Sequence, residues 1–329
     1  MNRVPRVRVG GTYGPARERR PLSPPGAVGK GGRRLAVLAL VATMAIWGSS
    51  FVVTTLVLDE AGPFAVTMLR FGLGLLVLLP FAYRRGFRFR LALEPAFLLF
   101  GLTGVALVYG LQTMALVFTS AANTALISAG VPVVAAVLAR AFLKEAIPPA
   151  RLLGIGLSVL GVGLVSGAVP PGAESSGTVL LGNALMVGAV VAYGAYAVQG
   201  RALRSVEGHP AVVATAASFA AGLLFLLPTT AAEVVLLGAP ALGAQGWIVV
   251  AYLGAGASAL PIFLWNFALR HVPASAAALY INLVPVVGLA SALMFGERVG
   301  AAQLVGGALA VLGVLLGDAV LFKGRARTS

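Results

Sequence analysis

LVPVVGLASALMFGE, Leu283 to Glu297, is apolar enough for a membrane helix, yet its third residue is proline and its last is glutamate. Proline lacks the helical N–H donor and clashes with the preceding turn, so its place here needs a reason. GVPVVAAVLARAFLKE, Gly130 to Glu145, repeats the pattern. Both stretches belong to a longer match. At a shift of 153 residues Gly101 falls on Gly254, Ala115-Leu116 on Ala268-Leu269, Ala125-Leu126 on Ala278-Leu279, and Val131–Val134 on Val284–Val287, which read VPVV in both copies. After a one-residue gap Glu145 falls on Glu297, Gly154 on Gly306, and Val159–Val162 on Val311–Val314, VLGV in both. Earlier in the chain the match is weaker: Trp47-Gly48 falls on Tyr193-Gly194, and Gly74-Leu75-Leu76 on Gly222-Leu223-Leu224. Apolar composition yields chance matches, but not Pro, Glu and Gly in one order with one small gap. The chain reads as two related halves.

The solvent of these halves is lipid. Of 329 residues 59% are hydrophobic and 10% charged, against about 25% charged in a soluble domain. The absence of cysteine excludes disulfides, thiolate metal sites and cysteine nucleophiles. Ten stretches reach the roughly 20 apolar residues that a spanning helix needs: 35–57, 62–83, 95–117, 120–139, 150–168, 178–200, 211–235, 246–269, 274–295 and 302–321. With the N-terminus inside, 22 of the 24 Lys and Arg fall on the inner side; Arg298 is outside and Arg70 lies within a helix. Such one-sided placement follows the positive-inside rule, and an odd number of spans would spoil it. The expectation is an all-α integral membrane protein with ten transmembrane helices as two inverted five-helix repeats. An odd number of helices per repeat turns the second copy upside down. Glu145 then lies inside and Glu297 outside. Inverted repeats of this kind mark secondary transporters, whose halves rock around a site near the midplane.

The chain divides into a basic, disordered cytoplasmic tail (1–34), a first repeat (35–168), an outer linker (169–177), a second repeat (178–321) and a short basic tail (322–329). The apolar run after the first tail continues into more membrane rather than a mature soluble domain, so it reads as an uncleaved first helix and not a secretory signal. The location expected is the cytoplasmic (inner) membrane, multi-pass, with both termini cytoplasmic.

The motifs resemble the EamA family of the drug/metabolite transporter superfamily. The resemblance rests on WGSSF at Trp47–Phe51, LRF at Leu69–Phe71, and the order A-L, P-V-V, E, G, G in the last two helices of each half, with Pro132, Glu145, Gly154 and Gly161, then Pro285, Glu297, Gly306 and Gly313. It covers about residues 37–168 and 178–318. The resemblance implies a ten-helix carrier of small metabolites such as amino acids, related compounds or drugs. The second half lacks the Trp-Gly-Ser and Leu-Arg-Phe forms, so the cavity need not be symmetric.

Candidate residues follow from the cost of polar groups in lipid. Trp47, Ser50, Tyr109, Gln112, Tyr193, Tyr196, Tyr280 and Asn282 lie at depths where a polar group must meet a partner or water. They are candidates for the substrate pathway, with helix–helix hydrogen bonding as the alternative. Pro132 and Pro285, mid-span in the fourth and ninth helices, are either kinks repaired by neighbours or breaks that free a carbonyl toward a cavity. Glu145 and Glu297 each close one helix and lie just before the next. They either gain about 0.3–1 kcal/mol from that helix's dipole or act as gates, Glu145 inner and Glu297 outer. Arg70 has no acid at mid-depth to pair with. It either snorkels or caps carbonyls of a broken helix, or faces the cavity and attracts a carboxylate substrate; its insertion costs roughly 2.5–3.5 kcal/mol. Gly163-x-x-x-Gly167 and Gly313-x-x-x-Gly317 allow close helix contact, within the chain by default and in a homodimer as the alternative.

Neither a Walker loop, H-E-x-x-H nor G-x-S-x-G occurs, so no catalytic residue, metal or cofactor is expected. The partners expected are a small-molecule substrate and the bilayer, without nucleic acid, since the basic residues do not gather on a soluble face. The function that follows is a secondary, non-ATP transporter, exporting small metabolites, most simply amino acids, by alternating access. A membrane-embedded enzyme and a channel are the rivals. Drugs or toxic cations and nucleotide or sugar derivatives are the other substrate classes.

Overall fold

The computed structural model describes residues 30–145, 147, 149–170, 176–202 and 208–325. The basic tail therefore lies outside the described residues except for its last five, which begin the first helix. Helical rods separated by loops are α1 (Lys30–Thr55), α2 (Pro63–Tyr83), α3 (Pro95–Phe118), α4 (Ala121–Phe142), α5 (Pro149–Gly167), α6 (Ser176–Ala202), α7 (Ala211–Leu237), α8 (Ala244–Leu269), α9 (Ala274–Tyr280 continuing as Leu283–Met294) and α10 (Ala301–Arg325). Eight of these are long and apolar enough to cross a membrane; α5 and α10 hold the shorter apolar stretches Leu152–Gly167 and Ala301–Gly317. Large apolar side chains stay exposed on the outer faces, Val235 at 84% and Met294 at 85%. In water such surfaces would be costly; in lipid they cost nothing. The protein is an all-helical, multi-pass membrane protein.

Two helices change register in mid-course. Leu102–Leu107 of α3 and Tyr252–Ala259 of α8 are π-helical. In α8 the Ser258 hydroxyl donates to the carbonyl of Leu253, five residues back, 2.9 Å away. Just before or within these wide turns the backbones meet their neighbours. Gly101 of α3 lies against Gly222 of α7, and Gly254 of α8 lies against Gly74 of α2. Elsewhere Gly48 of α1 lies against Val287 of α9, and Gly194 of α6 against Val134 of α4.

The prolines sit where their helices restart. In α4 the α-helix ends at Ile127, a 3₁₀ turn follows over Ser128–Gly130, and Pro132 is in the first turn of the next segment. In α9 the first segment ends at Tyr280, Ile281 and Asn282 form a turn, and Pro285 is the third residue of the second segment. An early helical position costs proline little, because the N–H it lacks would have no partner there.

Helices α5 and α10 pack face to face along glycines, using the Gly313-x-x-x-Gly317 pair of α10 but not the Gly163-x-x-x-Gly167 pair of α5. Gly154 meets Gly313 and Gly317, and Gly161 meets Gly306. Gly163 and Gly167 face open space. The reason is helical phase: Gly154 and Gly161 are seven residues, two turns, apart and share one face.

Candidate functional site

The breaks of α4 and α9 frame a cavity of about 110 Å³. Its wall takes Trp47, Ser50 and Phe51 from α1, Arg70 from α2, Val108, Tyr109 and Gln112 from α3, and Ser128, Ala129, Val131 and Pro132 from α4. Met186, Ala189, Val190 and Tyr193 of α6, Ile281, Asn282, Val284 and Pro285 of α9, and Val311 and Val314 of α10 complete it. Among the candidates, Trp47, Ser50, Arg70, Tyr109, Gln112, Pro132, Tyr193, Asn282 and Pro285 thus share one space.

Tyr196 and Tyr280 do not line it. Tyr196 packs edge-on against Phe100, 5.3 Å between centroids, and over Gly104 of α3. It lies one turn beyond Tyr193, whose ring is 5.9 Å away. Tyr280 packs on Ala36, Leu40, Ala268, Val272 and Ala277 instead.

The polar groups in the wall differ in what they leave free. Ser50 donates to the carbonyl of Trp47 at 2.7 Å and Ser128 to that of Ala125 at 2.6 Å, so each hydroxyl hydrogen is spent within its own helix. Trp47 faces Trp265 at 6.3 Å. Arg70 is 2% exposed. Its Nε donates to Ser258 Oγ at 3.0 Å, and the guanidinium lies 4.6 Å from the Tyr109 ring centre. Arg70 Nη1 and Asn282 Nδ2 are buried without a hydrogen-bond partner among the described residues. Among the described residues neither Asp nor Glu lies in the wall.

The glutamates occupy the ends. Glu297 accepts from the backbone N–H groups of Ala121 and Ala122, both at 2.9 Å. It caps a helix, but that helix is α4 and not α10, which follows it in sequence. The expectation of a local cap is corrected: the loop turns the carboxylate toward the exposed N–H groups of a spatial neighbour. Glu145 instead pairs with Arg201 of α6 at 3.0 Å, both side chains about half exposed.

Two features escaped the sequence reading. Glu233, 8% exposed near the end of α7, accepts from Phe64 N–H at 3.1 Å and Ala65 N–H at 2.7 Å, capping α2. Beside Glu297, a buried cluster joins α4, α6 and α10: Asn123 Nδ2 donates to Asn183 Oδ1 at 3.0 Å, Thr119 Oγ1 to the same oxygen at 2.7 Å, and Gln303 Nε2 to Asn123 Oδ1 at 2.8 Å. Asn123, Asn183 and Gln303 each lie in a predicted span, but nothing local pairs them: Asn123's partners are 60 and 180 residues away.

Comparison with known proteins places this architecture. The model of the EamA-like transporter family matches residues 34–167 and 180–317. The uncharacterized transporter YetK of Bacillus subtilis (strain 168) is 27% identical over 288 residues, 83% of this chain and 85% of that protein. A protein of Streptantibioticus cattleyicolor named a probable terminal-alkyne amino-acid exporter is 28% identical over 283 residues, 85% of this chain and 92% of its own length. A crystal structure with a TM-score of 0.58 and 20% identity covers 87% of this chain and 96% of that one, a likeness of fold.

Proposed function

The chain belongs to the EamA-like transporter family, and on that premise we propose a secondary transporter that exports small metabolites, most simply amino acids or related compounds, by alternating access. The carrying observation is the cavity at the paired helix breaks, where Pro132 and Pro285, mates in the repeat, face one space. The relative named an amino-acid exporter supports that substrate class.

Ten crossings in two inverted repeats are part of this reading, and the contacts support it. Gly101 and Gly222 touch, and so do their repeat mates Gly254 and Gly74. Gly48 against Val287 has its counterpart in Gly194 against Val134. A fold whose contacts exchange with their mates in this way has a two-fold axis between its halves. The distribution of Lys and Arg supports cytoplasmic termini and an outer Glu297 end.

The same symmetry gives a gate. At the shift of 153 the mates of Ala121 and Ala122, which Glu297 caps, are Ala274 and Ser275, the first turn of α9. In the proposed cycle Glu297 holds α4 when the outer side is closed. When that side opens, Glu297 lets go and Glu145 leaves Arg201 for the N-terminus of α9. Each glutamate thus serves as gate and cap in one state only.

Flux into vesicles reconstituted with the protein tests the reading. Saturable, ATP-independent movement of at least one of the twenty amino acids is expected. No saturable flux of any solute, together with turnover of a compound in detergent, would favour an enzyme; steady single-channel conductance would favour a channel.

A further inference from the structure

We infer that Arg70 is the seat of an anionic group of the cargo, and that the site takes a monocarboxylate with an apolar body rather than a cation. This rests on the transporter reading and adds to it the chemical class of the cargo.

A guanidinium has five N–H donors in a planar fork and keeps its charge in proteins. Arg70 is buried, and one neutral acceptor, Ser258, takes its Nε–H. The Tyr109 ring offsets part of the charge through its face. Among the described residues Nη1 has no partner, and the cavity wall that Arg70 joins holds no acid. A buried cation left in this way asks for an anion from outside the chain. The fork matches a carboxylate in two-point geometry.

A purely structural arginine would fit the facts less well. Ser258 already has its own bond to Leu253, so it does not depend on the cation for a partner. The repeat also supplies a comparison. At the shift of 148 that aligns Gly74 with Gly222, Arg70 falls on Ser218 and Phe71 on Phe219. Phe71 and Phe219 touch at 4.8 Å, so these two positions occupy like places beside the axis. The second half packs there with a serine that bonds its own helix. The fold does not need a cation at this position; one half has it, and it faces the cavity.

Charge and lining fix the class. One positive group balances one negative charge, which favours a carboxylate over a dianionic phosphate. Asn282 Nδ2, another buried polar atom without a partner among the described residues, is on the wall too. Met186, Val190 and Val311 offer apolar surface to the rest of the cargo. A cationic cargo would meet only repulsion.

The test is calorimetric titration of the full-length protein in detergent with five probes: L-leucine, 4-methylpentanoate, leucinamide, 3-methylbutylamine and inorganic phosphate. Leucine and 4-methylpentanoate should bind, and the amide, the amine and phosphate should bind at least about tenfold more weakly. Arg70→Gln should weaken the two acids by about 10- to 100-fold, with partial recovery in Arg70→Lys. The probe series on the unaltered protein stands even if the variants do not fold. Binding of the amine as tight as that of the acid, acid binding unchanged in folded Arg70→Gln, tighter binding of phosphate, or no binding of either acid would each overturn the inference. Saturable flux of leucinamide that survives Arg70→Gln would remove the anion seat and leave the transporter; absence of flux for every solute would remove the transporter itself.

Discussion

The two ends of the bundle are held in different ways. At one end three glutamates reach across the fold to cap helices distant in sequence. Glu233 caps α2, Glu297 caps α4, and Glu60 accepts from Gly243 at the start of α8 at 2.7 Å. The Asn123–Asn183–Gln303 cluster lies among them. At the other end Glu145 makes a half-exposed ion pair with Arg201. A carboxylate that satisfies two N–H groups at a helix start gains charge-assisted hydrogen bonds and the dipole together. A pair in solvent gains about 0–1 kcal/mol. Among the described residues one end is therefore stitched and the other is only tacked. In the proposed cycle this is the state with one side closed, because alternating access requires strong contacts at one end at a time.

Not all of the stitches are alike, and the largest effect should come from one that does not move. Glu233 is buried, and its position on the shift of 148 falls on Arg85, so the opposite end has no matching acid. Glu233→Ala strands two N–H groups of α2 and should cost about 2–4 kcal/mol. Thermal unfolding in detergent would show it as a lowered midpoint. Accessibility of the cavity should stay as it was once folded protein is selected. A midpoint unchanged within error would mean that water or another group caps α2 equally well.

Glu297→Gln comes next. The amide can still accept from one N–H group but lacks the charge, a loss of about 1 kcal/mol or more. The native chain has no cysteine, so one placed at Ala129, in the cavity wall, reports access cleanly. Its modification by a membrane-impermeant reagent applied at the Glu297 end should rise by about fivefold, with a small change in melting. Equal labelling from that end would reduce Glu297 to a plain helix cap.

The sequence made some of this plain and hid the rest for physical reasons. Arg70 stood out because a charge in an apolar run is costly, and that cost is independent of fold. Pro132 and Pro285 stood out because they recur. Their cavity followed from placing the recurrence at mid-span. Tyr196 lies off the wall because it is one turn beyond Tyr193, and Tyr280 because phase around its helix was not known. At about 100° per residue, Tyr280 lies nearly opposite Asn282, and hydropathy cannot see that in a helix apolar all round. The partners of Glu297 and Glu233 were hidden because a cap is recognised locally, while these carboxylates cap helices 176 and 169 residues away. Nor does composition separate the π segments of α3 and α8 from ordinary helix, since their polar residues, Thr103 in one and Tyr252 and Ser258 in the other, are of types that ordinary membrane helices also carry.

The smallest effect discriminates best. Glu145→Gln and Arg201→Gln remove the same ion pair. Each should change stability by less than about 1 kcal/mol. If the pair were only a surface salt bridge, the two substitutions would act alike on every measurement. In the proposed cycle they differ in sign. Arg201→Gln frees Glu145 for the start of α9, so it should favour the state open at the Glu297 end. Labelling at Ala129→Cys from that end should rise by about twofold, as a change near 0.5 kcal/mol allows. Glu145→Gln takes away the carboxylate that α9 would receive, so the same labelling should fall. Both variants shifting together, in either direction, would break the correspondence between the two glutamates and leave Glu297 as the gate of one end alone.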